Sequence, residues 1–266
     1  MTTLMENGLG KQSTSNREES FPAASNPIRI FIGSSANGED CEIEAAYENS
    51  LRSNTKRALE ITWMRKTLDT TSPWGGWETN RWSTPFSGFR WAIPEVCGFE
   101  GRAIYTDCDM INYRDIGELW DTDMKGKPIA ARAGERFLGN EFCVSLIDCK
   151  KIKDFIIMPI SRMKTIDSTH HRFIGKFSGD NNLVHCLDPR WNVLDGEEYE
   201  IKDIWQLHFT NMATQPWKPS WYTGVPMQHP RKDVVSEFYK HRDEAYANGY
   251  TPWKSNQKIN YEIIGK

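Results

Sequence analysis

Two carboxylates one residue apart, Asp107 and Asp109, stand at the end of the apolar run Ala103-Ile104-Tyr105-Thr106. On an extended backbone residues i and i+2 face the same side, so both side chains can reach one cation. Oxygen donors of this kind suit a hard divalent ion, magnesium or manganese, and an imidazole in the shell would favour manganese. Such an ion stabilises the negative charge that gathers on a departing diphosphate. An Asp-x-Asp pair also arises by chance as a solvated turn or a helix cap. What raises this one is the strand that leads into it, because ligands of open α/β sheets sit beyond the carboxyl ends of the strands.

The elements that must position the pair read as an alternation. Ile28–Ile32 is a short β-prone run followed by the turn Gly33-Ser34-Ser35. Asp40–Arg52 carries Ile43, Ala46, Tyr47 and Leu51 at helical spacing, and Leu59–Met64 reads as a second strand. Strand, helix, strand is the start of a parallel α/β sheet. Residues 69–83 form a loop rich in Trp, Gly and Ser. A helix opens at Thr84-Pro85 and is closed by Pro94. Arg102–Thr106 is the strand that ends in the acidic pair, and Ile116–Trp120 is a short helix. Strands follow at Pro128–Arg132, Glu141–Cys149 and Asp203–Phe209, with an amphipathic helix at Asp233–Asn248. Residues 1–26 are polar and aperiodic and read as a disordered tail, which leaves 27–266 as one domain with a C-terminal helical extension.

Composition narrows the function classes. The chain has 266 residues and a formal net charge of −3, with no basic excess to meet a phosphate backbone, so nucleic acid is not an expected partner. No apolar run has the length of a membrane span, and the N-terminal segment lacks a signal peptide's apolar core. The expectation is a cytoplasmic protein, with peripheral membrane contact through the basic edges of the last helix, Arg231-Lys232 and Lys240-His241-Arg242, as a weaker option. The six cysteines form no C-x-x-C pair and read as reduced, buried thiols rather than a zinc site or a disulfide framework. Tryptophan is unusually frequent at 11, and core packing is the plainer reading of that count. Trp74, Trp77 and Trp82 on the loop fit either a platform or lid for an acceptor sugar, or a loop folded back on its own rings. His170 and His171 read as surface residues, and His185 as part of a helix.

The blocks around the acidic pair resemble glycosyltransferase family 8, the group of glycogenin and bacterial lipooligosaccharide galactosyltransferases. The first block is Ile104-Tyr105-Thr106-Asp107-Cys108-Asp109-Met110-Ile111, followed by Asp115-Ile116-Gly117-Glu118-Leu119-Trp120. Ser145–Lys151, Gly179–Leu183 with Pro189–Leu194, and His208-Phe209-Thr210-Asn211 with Gln215-Pro216-Trp217 then appear in the family's order. Together they span about residues 28–220. The resemblance implies a GT-A fold, a single nucleotide-binding mixed sheet flanked by helices. It implies a hexosyltransferase that uses a nucleotide sugar, UDP-hexose in the family's habit, and retains anomeric configuration. The acceptor would be a glycan, a lipid-linked sugar or a protein.

Site residues follow from the same resemblance. Asp107, Asp109 and His208 would hold Mn2+ or Mg2+. Arg90 and the Asp107-Cys108-Asp109 segment would support the donor, and Gly33, Ser34, Ser35 and Asn37 occupy the place of a uridine-binding loop. Asp180 and Asn181 resemble the residues facing the donor sugar near its reacting carbon. Front-face attack, with the leaving phosphate oxygen taking the acceptor's proton, is the expected route to retention. Asn211 and Gln215 stand where the family has a phosphate-binding glycine and lysine, with one extra residue between them, and Lys218 lies close enough to replace the lost charge. The family's Asn-x-Gly is here Glu141-Phe142-Cys143, with Asn140 one position off, and its Asp-Gln-Asp is Asp180-Asn181-Asn182. These departures keep a second reading open, a catalytically silent relative that binds nucleotide or glycan. A sugar nucleotidyltransferase ranks lower, because the turn after the first strand carries no cation.

Overall fold

The computed structural model describes residues 26–134, 139–156, 158–178, 180, 182–219 and 222–260. The polar segment 1–25 and Asn181 therefore lie outside the described residues. In chain order the strands are β1 (Ile28–Ser34), β2 (Leu59–Arg65), β3 (Arg102–Asp107), β4 (Met110–Asn112), β5 (Ile129–Gly134), β6 (Gly139–Asp148), β7 (Val184–Leu187), β8 (Val193–Leu194) and β9 (Gln206–His208). The helices are α1 (Cys41–Ser53), α2 (Ile93–Val96), α3 (Ile116–Trp120), α4 (Ile160–Met163), α5 (Thr169–Ser178) and α6 (Lys232–Ala247).

Six strands form one mixed sheet in the order β2-β1-β3-β6-β5-β7. β1 runs parallel to both β2 and β3, and β6 is antiparallel to β3 and β5. Three short strands, β4-β9-β8, make a second sheet. β1 lies inside the large sheet, and its Ile28, Ile30 and Ile32 are fully buried, as expected of a strand covered on both faces. α1 buries Ile43, Ala46, Tyr47 and Leu51, the face its periodicity picks out. α6 lies along α1, and its Val234 and Phe238 share a cluster with Ile43, Leu207, Phe209 and Trp217. Among the described residues no helix is long and apolar enough to cross a membrane.

Several local expectations need correction. Pro94 does not close a helix. It occupies the first turn of α2, where a missing N–H costs nothing, after a 3-10 turn at Phe89–Ala92. His185 lies on β7, not on a helix. His170 sits on α5 with its Nδ1 accepting from Trp91 Nε1 at 3.1 Å. Burial first, then the nearby charges of Arg90 and His171, push its pKa down to about 2, so it is a neutral packed ring and not a surface histidine. His171 beside it is exposed, as expected.

The tryptophan loop is folded onto itself. Trp74, Trp77 and Trp82 are all buried, with ring centroids 5.6, 5.5 and 6.0 Å from that of Phe89. Trp77 Nε1 donates to Pro73 O at 2.7 Å and Trp82 Nε1 to Asp167 O at 3.0 Å, so neither indole nitrogen is lost to burial. These rings serve the core beneath Arg90 and are not presented to a sugar. Truncating the ring they surround, Phe89→Ala, should cost about 3–5 kcal/mol. A shift of the urea midpoint corresponding to less than about 1 kcal/mol would show that the loop does not depend on that core.

Candidate metal and donor site

The site forms where β3 and β1 end side by side. Gly33 of β1 is in register with Asp107 of β3. A Cβ at position 33 would press into the Phe86 ring and lie 3.0 Å from the Tyr105 hydroxyl, so glycine is required there by space. Beyond Asp107 the chain passes through the buried Cys108 and Asp109 into β4. β4 pairs antiparallel with β9, which sets His208 opposite Met110, and Phe209 N donates to Asp109 O at 2.8 Å. This small ladder carries a histidine from late in the chain to the acidic pair.

The side chains converge accordingly. His208 Nε2 lies 3.2 Å from Asp109 Oδ1. One donor atom each from Asp107, Cys143 and His208 falls within 4.8 Å of the others. Asp107 is braced from behind: the Tyr105 hydroxyl donates to its Oδ1, and Arg90 Nη2 lies 3.4 Å away. Arg90 is buried and spends its remaining donors on Ser87 O at 2.8 Å, the Tyr105 hydroxyl at 3.0 Å and Phe142 O, with its guanidinium 4.2 Å from the Tyr105 ring centre. Arg90 thus reaches the site as a support for Asp107.

His208 is oriented by a residue that sequence reasoning quoted without a role. Its Nδ1 is 3.0 Å from Asn192 Oδ1, and Asn192 Nδ2 donates to Glu141 Oε2 at 3.2 Å. The bond to a carboxamide oxygen makes Nδ1 the protonated nitrogen and turns Nε2 toward the acids. Asn192 is fully buried, and its own carbonyl accepts from Arg132, which also pairs with Glu197. Tyr105 could have been found from its i−2 spacing to Asp107. Asn192 and Cys143 carry no such local signal.

Burial alone would lower the His208 pKa, but the charge of Asp109, its contact with the ring, and then Asp107 and Asp195 outweigh it and push the pKa up to about 9. Asp109 Oδ1 is buried and lacks a well-aligned hydrogen-bond partner despite the nearby ring. Two carboxylates, an imidazole aimed by its far nitrogen, and one unsatisfied buried carboxylate oxygen fit a divalent cation.

The remaining expected residues are placed differently. Ser34 is buried and donates to Glu44, and Ser35 Oγ accepts from Asp40 N at 3.2 Å. Asn37 spends its carboxamide on the C-terminal segment, donating to Ile259 O at 3.3 Å and accepting from Ile259 N at 3.1 Å. Asp40, at the head of α1, accepts from Trp217 Nε1 at 3.0 Å, while burial, with Asp109 and Glu44 adding to it, pushes its pKa up to about 7. Gln215 is buried and donates to Phe209 O at 3.0 Å, and exposed Asn211 accepts from Ala213 N at 3.0 Å. Lys218 Nζ donates to Gln215 O and Trp217 O, beside a cavity of about 490 Å³ that Gln215, Lys232 and Tyr239 also line. Asp180 is exposed and accepts from Asn182 N at 2.9 Å, and no described bond ties it to Asp107, Asp109 or His208.

Known proteins match this arrangement at the level of fold. The apo bifunctional glycosyltransferase WbbM superposes with a TM-score of 0.55 at 13% identity, over 85% of this chain and 52% of that one. Glycosyltransferase GlyE of Streptococcus pneumoniae superposes with 0.55 at 16% identity, over 88% and 66%. Galactosyltransferase LgtC, solved with donor and acceptor sugar analogues, superposes with 0.53 at 14% identity, over 82% and 96%. The fold is GT-A. In sequence, General stress protein A of Bacillus subtilis is 28% identical over 182 residues, which is 65% of this chain and 60% of that protein. The chain thus spans about 60% of that relative and 52% of WbbM. No family model matches the sequence.

The raised His208 pKa sets a pH dependence. The ordinary value is 6.5 and the folded value about 9, so the protonated ring stabilises the metal-free chain fully below pH 6.5. That contribution is lost as pH rises through 9, and a cation, which needs the neutral ring, binds more tightly over the same range. With chelator present, unfolding free energy should decline between these pH values, and His208→Gln should flatten the decline. An unchanged profile in that variant would remove the assignment.

Proposed function

We propose that this protein is a metal-dependent, retaining glycosyltransferase that moves a hexose from a UDP-sugar to a glycan, lipid-linked or protein acceptor. The observation that carries the reading is the meeting of Asp107, Asp109 and His208 beyond the ends of the central strands, in a fold shared with glycosyltransferases. Asp107, Asp109 and His208 would hold the cation, manganese by the chemistry of the donor set. When bound, that ion supplies positive charge to the donor diphosphate as it leaves.

The chain's own residues do the rest. Arg90 and Tyr105 hold Asp107 in one rotamer, so the acid does not reorganise as charge develops. Asn192 holds the Nδ1 proton of His208, so that the ring, once neutral, presents Nε2 to the pair. Gly33 leaves room for the Phe86 ring and the Tyr105 hydroxyl that braces Asp107, so β1 and β3 can end side by side. Acceptor attack on the front face, with the phosphate oxygen as proton acceptor, needs no carboxylate beneath the anomeric carbon. The exposed Asp180, tied to its own turn, is compatible with that route.

One observation favours a second reading, a relative that binds the donor without turning it over. Gln215 and Lys218, which stand near the family's phosphate-binding lysine, direct their polar ends to backbone carbonyls. Asp109→Ala separates the readings. In an active enzyme it should reduce manganese-dependent UDP-sugar turnover by on the order of a hundredfold or more. Retention of full turnover would overturn the cation assignment. UDP and manganese binding by calorimetry with no turnover in the native chain, across a panel of UDP-sugars, would establish the silent relative instead.

A further inference from the structure

The third donor that comes closest to Asp107 and His208 is a thiol. Cys143 lies on β6, which runs antiparallel to β3 with Thr106 opposite Val144. One step further along that register, Cys143 stands opposite Asp107 on the same face of the sheet. Its Sγ, a carboxylate oxygen of Asp107 and a ring nitrogen of His208 all lie within 4.8 Å of one another. Two donors sharing one ion at about 2.0–2.3 Å each can be at most about 4.6 Å apart. The spacing of these three atoms is therefore within a few tenths of an ångström of shared coordination. Cys143 is half-buried as a residue.

Resting on the metal-site reading above, we propose that Cys143 is a fourth protein donor to this cation. The sulfur tilts the site toward cobalt or zinc and against magnesium, while manganese, a harder ion, would be held mainly by the oxygen and nitrogen donors. The physical reason is ligand softness. Carboxylates and water suit magnesium, whereas a thiolate gains little from so hard an ion and much from zinc or cobalt. As the sulfur–metal bond forms, the S–H proton leaves to solvent. The same geometry has a consequence for activity. Zinc prefers four ligands; Asp107, His208 and Cys143 present atoms near enough to share one ion, and if Asp109, which lies against His208, turns in as the fourth, no position stays open for the donor diphosphate. Zinc should therefore bind tightly and silence the site, while manganese, with a larger coordination number, keeps positions free.

The test uses cobalt(II) alone as the probe on the full chain. The native protein should show the near-ultraviolet sulfur-to-cobalt charge-transfer band, and Cys143→Ser should lose it while still binding manganese by paramagnetic resonance. The ratio of zinc to manganese affinity should fall in Cys143→Ser on the order of 10–100-fold, the range seen when even an outer partner of a metal ligand is lost. Cys143→Ala, checked for native circular dichroism, gives the same result if the sulfur and not the local packing is responsible. A band that survives both substitutions comes from another thiol and overturns the proposal. Cobalt binding without any sulfur band also overturns it and leaves the Asp107, Asp109 and His208 site intact. Failure of the native chain to bind either ion removes the metal site itself, and Cys143 with it.

Discussion

Four carboxylates, those of Asp40, Glu44, Asp107 and Asp109, gather where β1 and β3 end, and their mutual repulsion is the constraint around which this corner is built. Each is answered separately. Arg65 lies 2.6 Å from the fully buried Glu44, and its guanidinium is flanked by Trp63 and Trp253. Arg90 and the Tyr105 hydroxyl answer Asp107. His208 answers Asp109. Asp40 accepts from Trp217, which comes from across the fold, and burial pushes its pKa up to about 7. Removing one partner from a buried pair leaves an uncompensated charge, a heavier penalty than the pair's net worth. The arrangement is therefore one of matched compensation, in which Asp109 Oδ1 has the His208 ring beside it but no well-aligned hydrogen bond, and so is placed to take a cation.

The fold delivers these compensations from widely separated parts of the chain. Arg90 comes from a 3-10 turn anchored by the tryptophan loop, so the Trp74, Trp77 and Trp82 cluster acts on the site through the rigidity of what it supports. His208 comes from a three-residue strand whose only route to Asp109 is the β4–β9 ladder. Asn192 comes from the turn that precedes β8, in the same small sheet. The large sheet thus provides the acids and the small sheet provides the base and its orienting partner.

Much of this was legible in the sequence where the signal is local. The β1–α1–β2 start follows from hydrophobic period, and α3 begins at Asp115, whose side chain accepts from Gly117 N at 2.8 Å as a helix cap should. What failed was where packing overrode local pattern. Pro94 reads as a stop because proline lacks an N–H, yet at a first helical turn that lack is harmless. His170 reads as polar surface because its neighbours are polar, yet Trp82 and Trp91 pack against it. β4, β8 and β9 are too short for any period to show, and β4 and β8 were accordingly unforeseen.

By itself the sequence determined the alternating α/β order, the strand that ends in Asp107-Cys108-Asp109, and the chemical character of that end, because those depend on spacing along a few residues. Only the tertiary structure decided which side chains meet there. The register of β6 against β3 sets Cys143 opposite Asp107, and the pairing of β4 with β9 sets His208 beside Asp109. Strand register is chosen by which faces the whole core buries, and no window of the chain contains that information.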